Sequence, residues 1–139
     1  MRHRAAKRKG AAAAELAILL PFLMFMAIIT TDWARCLKMT LAANAAARNG
    51  ALYASDPIYA ATSPYTSTTD AALSEFKDVT PTPTVTQQSS TDAAGNQAVT
   101  VTVTVTFSTF VSFPGVPKVS TLTRSCQMRI APTSTRAQY

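Results

Sequence analysis

The sequence predicts an α+β protein: a long N-terminal transmembrane helix that continues outside the membrane and packs on a small antiparallel sheet of three to four strands. Two observations carry most of this. From Leu16 to Thr31 no residue is charged, and Ala11 to Ala14 lengthen the run enough to cross a hydrocarbon core of ~30 Å at ~1.5 Å per residue. From Ala98 to Phe107, AVTVTVTVTF, valine and threonine alternate without a break, the pattern of a strand with one buried and one wet face. The chain has 139 residues, which suits one small domain plus an anchor.

Taken in order, Met1 to Gly10 is a basic leader, too short and too charged to fold by itself. The apolar run follows, with Glu15 as its one ionisable group. Nine Leu, Ile and Phe residues between Leu16 and Ile29, at roughly −0.3 to −0.6 kcal/mol each, outweigh a carboxylate that costs about 3 kcal/mol even at mid-membrane. Pro21 removes one helical hydrogen bond, which membrane helices tolerate. Asp32, Trp33, Arg35 and Lys38 mark the far boundary, where tryptophan and snorkelling cations are favoured.

Beyond the boundary Leu37, Leu41, Ala45, Arg48 and Leu52 recur at three- and four-residue steps in an alanine-rich stretch, so the helix is expected to run on to about Asn49 or Tyr53. That stripe is the expected packing surface, and Gly50 the expected point of fraying. Ser55 to Thr69, with Pro57 and Pro64, reads as a loop. Asp70 to Asp78 reads as a short helix capped by Thr69 or Asp70 and presenting Leu73 and Phe76. Thr82 to Gln88 is expected to pair with the alternating strand through a turn at Asp92–Asn96. Pro114, Gly115 and Pro117 then break the chain before a last strand from about Lys118 to Ile130. Leu122, Cys126, Met128 and Ile130 share a face there, interrupted by Arg124. The final PTSTRAQY reads as a frayed end. The divisions are therefore residues 1–10, a cytoplasmic leader; 11–31, the span; 32–54, the exported helix extension; and 55–139, a small exported β-rich domain.

Of the net charge of +6, five charges come from Arg2, Arg4, Lys7, Arg8 and Lys9, and the rest of the chain is nearly balanced. The excess is local, which argues against a nucleic-acid surface and for a leader held on the cytoplasmic side of a membrane. The exported side permits oxidation, so Cys36 and Cys126 are either a disulfide closing about ninety residues, worth ~4 kcal/mol in the chain-entropy model, or two buried free thiols. Catalysis has little foothold. The sole histidine, His3, lies in the leader, and no metal-ligand cluster, phosphate loop or paired-carboxylate motif is present. No cofactor is expected, and no enzyme.

A basic leader ending in Gly10, then four alanines and Glu15 opening an apolar helix with Pro21, resembles the processing junction of type IV pilins and pseudopilins. Within that group GAAAAELAILLP, followed by Asp32-Trp33-Ala34-Arg35, is similar to the TadE-like proteins of the tight-adherence (Flp) pilus assembly system. The resemblance covers Lys7 to Arg35. It implies cleavage by a prepilin peptidase between Gly10 and Ala11, which makes Glu15 the fifth residue of the mature chain. It also implies a place in the bacterial inner membrane, possession of an exported β-rich domain, and a structural role in pilus assembly or secretion. The implied partners are membrane lipid, the peptidase, other pilins or pseudopilins and inner-membrane assembly-platform proteins. Two departures, Ala11 where pilins carry a bulky apolar residue and Leu16 where the major pilin has tyrosine, point to a minor pseudopilin rather than the main filament subunit.

Two other readings compete. One is a secretory signal peptide cut at Ala43-Asn44-Ala45, against which stand the length of the apolar run and the charges of Asp32, Arg35 and Lys38. The other is an uncleaved, anchored binding module whose loops, Tyr53 to Tyr65 and Phe110 to Val116, contact an extracellular ligand. The threonine face of Thr100 to Thr106 is read as a solvated sheet face.

Overall fold

The computed structural model describes residues 3–77, 79–91, 95–111 and 118–131, with residues 3–9 by backbone alone. The expectations for Asp78, for the turn residues Asp92 to Ala94, for the Pro114–Pro117 break and for the C-terminal PTSTRAQY lie outside the described residues.

One helix dominates. α1 runs from His3 to Ser55 and continues through Pro21. The leader, expected not to fold, is helical from His3. Helix nucleation is costly and extension cheap, and Ala, Lys and Arg are good helix formers, so a span already helical propagates backwards through them. At the other end α1 passes Gly50 without fraying and stops at Ser55. From Ala11 to Thr31 it covers about 31 Å at the helical rise, a bilayer core's thickness. Its most apolar stretch is buried by none of the other described residues, and the helix is long and apolar enough to cross a membrane. Near the end of that stretch Thr30 and Thr31 donate their hydroxyls to the carbonyls of Met26 and Ala27, both at 2.8 Å, which satisfies them without water.

Two short helices follow where a loop and one helix are expected. Asp56 caps α2 (Pro57–Thr62) by accepting from the backbone N–H groups of Ile58 and Tyr59. Pro57 sits in the first turn, where its missing N–H costs nothing, so the proline read as a loop marker starts a helix. α3 spans Thr68–Leu73 and is capped by Ser67, whose hydroxyl accepts from the Asp70 N–H. The cap lies earlier than Thr69 or Asp70, and the helix ends before Phe76. Phe76 is buried all the same, from the turn that follows.

Three strands, β1 (Thr84–Thr91), β2 (Gln97–Ser108) and β3 (Val119–Arg129), form an antiparallel sheet in the order β1-β2-β3. β1 is shifted a few residues later than expected, and its register runs from Thr84 opposite Thr104 to Thr91 opposite Gln97. Val99, Val101, Val103, Val105 and Phe107 are buried on one face of β2, and the alternate threonines are half-buried on the other. β3 is an edge strand whose inner face is half covered. This accounts for Arg124: it takes an apolar-phase position opposite Val103 but is exposed, donating to the Thr123 carbonyl.

The helix face that meets the sheet is the main departure from expectation. Leu37 and Leu41, expected to pack inward, are 50% and 68% exposed, whereas Ala43, Ala46, Ala47 and Ala51 are fully buried. Gly50 lies on the same stripe. Positions 43, 46, 47, 50 and 51 follow the amphipathic period as well as the leucines do, but their side chains are small. Small size is what the site requires. A Cβ added at Gly50 would stand 3.0 Å from Val101 Cγ1 and 3.2 Å from the Ala72 Cβ, closer than ordinary carbon contact. The core is thus an alanine–glycine helix face against a valine sheet face, with Ala72 and Phe76 closing one side.

Candidate functional site

Both ends of the sheet are tied to α1. At the far end the Ala131 N–H donates to the Ser55 carbonyl at 2.9 Å; six residues earlier on α1, Asn49 donates from Nδ2 to Glu75 at 2.8 Å. At the membrane end the tie is made by side chains expected to face lipid headgroups. The Phe110 backbone N–H donates to both carboxylate oxygens of Asp32, at 3.2 and 3.0 Å. Arg35 Nη1 donates to Asp32 Oδ1 at 2.8 Å and reaches the Ser108 carbonyl at 3.5 Å. The Arg35 guanidinium lies over the Phe110 ring, 3.8 Å from its centroid, and 5.4 Å from that of Phe107.

Local sequence builds this clasp. Asp32 and Arg35 are three residues apart, hence on one face of α1, at the point where the uncharged run ends. β2 is long enough to bring Phe110 down to that level. Asp32 is 8% exposed, so it is a buried carboxylate held by a cation and a backbone donor, not a snorkelling one. A carboxylate bonded in this way is among the stronger polar contacts. The other two boundary residues remain outside: Trp33 is 67% exposed, and Lys38 is exposed one turn above the clasp. Arg35, Lys38, Met39, Glu75, Lys77 and Phe107 line a shallow groove of about 320 Å³.

The processing residues stand apart from all of this. Gly10, Ala11 and Glu15 are exposed along α1, and a Cβ at Gly10 would meet nothing within 4 Å. Glu15 has no hydrogen-bond or ion-pair partner among the described residues. The two cysteines are not brought together. Both are free and half-buried. Cys126 pairs with Val101, which packs on Gly50, and Gly50 lies about 21 Å up the helix from Cys36 at the helical rise. A disulfide needs its Cα atoms within about 7 Å. The Tyr53–Tyr65 stretch, read as a binding loop, is the end of α1 followed by α2. Ala43-Asn44-Ala45, the rival cleavage site, lies within α1 with Ala43 in the core.

Residues 10–52 match the family model of the TadE-like proteins. Over this segment the chain is similar to TadE-like proteins. The match begins at Gly10, includes Glu15 and the Asp32–Arg35 pair, and ends one residue after Ala51, the last core alanine of α1. Neither a curated protein nor a solved structure matches the chain.

The sequence reading missed the clasp because the boundary residues were assigned to lipid. Its signal was present in the opposite charges at Asp32 and Arg35, spaced to pair with each other.

Proposed function

We propose that this TadE-like protein is a minor pseudopilin: a single-pass, non-enzymatic structural component of tight-adherence pilus assembly or secretion, cut by a prepilin peptidase after Gly10. The observation that carries the proposal is Glu15. It lies in a membrane-length helix, exposed, and none of the described residues bonds to it. A carboxylate in hydrocarbon is costly unless a cation meets it. Cleavage after Gly10 creates that cation. The α-amino group of Ala11 would lie four residues before Glu15, one helical turn away on the same face, in the same or a neighbouring subunit. In low dielectric the pair is far stronger than in water, and a buried polar pair of this kind can fix the axial register of packed helices.

The rest of the chain fits the role. The basic leader holds the N-terminus on the cytoplasmic side. The exposed face of the span is free for lateral packing against other pilins, pseudopilins or platform subunits, and the clasped sheet is exported with the helix as one piece. Replacing Gly10 with phenylalanine tests the reading in cells that carry the pilus system. The expected result is a protein that inserts normally, keeps its leader and fails to join the apparatus. Normal assembly of Gly10→Phe would contradict it and favour the uncleaved anchored module.

A further inference from the structure

The loop after β2 reaches the level at which the membrane-length run ends. The Phe110 N–H is bonded to Asp32, the residue after Thr31, so this part of the loop lies within one helical turn of the end of the uncharged segment. Phe110 is 65% exposed and Val111 38%, an apolar pair left open to solvent on its outer side, and Trp33 is exposed on the helix at the same height. Cations surround the group. Arg35 stacks on the Phe110 ring, Lys38 is one turn above, and Lys118 is placed beside the loop by the Thr109 N–H, which donates to its carbonyl at 3.0 Å. An aromatic and an aliphatic side chain ringed by Arg and Lys, at the depth where hydrocarbon gives way to headgroups, is the chemistry of an interfacial anchor.

We infer that Phe110 and Val111 are a second membrane contact, seated in the headgroup–acyl boundary of the exported leaflet beside Trp33, with Arg35, Lys38 and Lys118 facing lipid phosphates. The inference rests on the reading of α1 as a membrane span. The Asp32 clasp then has a purpose beyond packing: it sets the height of the loop against the helix, so that the domain stands on the bilayer at a fixed tilt instead of swinging from a tether. The occupant is lipid rather than a partner protein because the loop is held to the span itself, and wherever the span is inserted the loop must meet the surface.

The test uses the full chain at high lipid excess in phosphatidylethanolamine–phosphatidylglycerol vesicles with brominated acyl chains. Trp33 is the only tryptophan and reports on the span boundary. Phe110→Trp in a Trp33→Phe background reports on the loop, and Ile58→Trp in the same background, on α2 at the far end of the domain, is the distal control. The expected result is quenching of position 110 to the same extent as Trp33, with position 58 unquenched. Should Phe110→Trp fail to fold, Val111→Trp carries the same expectation. Quenching of Trp33 without quenching at 110 or 111 overturns the inference and leaves the span intact. Absence of quenching at Trp33 itself overturns the span reading and the inference with it.

Discussion

The two halves of α1 use opposite rules of side-chain size. In the first, from Leu16 to Ile29, the large apolar residues are all exposed, and none of the described residues buries them. In the second, the residues buried between Ala43 and Ala51 are alanine and glycine, and the larger Leu37 and Leu41 just before them are left outside. With the first half read as a membrane span, the difference follows from the solvent each half meets. Lipid tails accept bulky side chains at any position, so hydrophobicity alone decides the first half. The second half meets a fixed wall of valines on a sheet, and a closely packed interior accepts only the volume it has room for. A helix face that must approach a β-branched sheet is selected for smallness, not hydrophobicity.

The comparison breaks most readily at Gly50. Gly50→Leu forces a side chain into space held by Val101 and Ala72, and overpacking of this kind should cost about 3 kcal/mol. In detergent, the midpoint of urea unfolding should fall sharply and the sheet should become protease-sensitive; an unchanged midpoint would mean that α1 does not press on the sheet as described. A smaller loss is expected at the clasp. Asp32→Ala leaves the Phe110 N–H without its acceptor and Arg35 without its partner, which should cost about 1–2 kcal/mol, with protease cutting appearing first near Phe110. The smallest effect belongs to the outward stripe. Leu41→Ala should change stability by no more than about 0.5 kcal/mol, although a leucine at helical spacing looks like core. A large loss there would reverse the assignment of faces.

How much of this was legible in the sequence depended on how local the signal was. The span and the alternating strand were plain because each is a periodic pattern within its own residues. The pairing of β1 with β2 followed from the turn-forming residue types between them in the sequence. The packing face of α1 was not legible, since two stripes of the same helical period competed and the choice belonged to Val101, some fifty positions away in the chain. The Asp32 clasp was half hidden for the same reason: its backbone donor is 78 residues distant, and only the pairing of Asp32 with Arg35 is local. α2 was missed through local chemistry that was available. Asp56-Pro57 is an N-cap followed by a first-turn proline, which was read as a break because serine, threonine and proline surround it.

The central functional claim is that the chain is matured by removal of its leader, giving Glu15 an amine to neutralise. The intact mass of the protein extracted from membranes of cells that carry the pilus system and its peptidase tests it most directly. A mature chain beginning at Ala11 is the predicted result. A mass that retains Met1 to Gly10 would contradict the account.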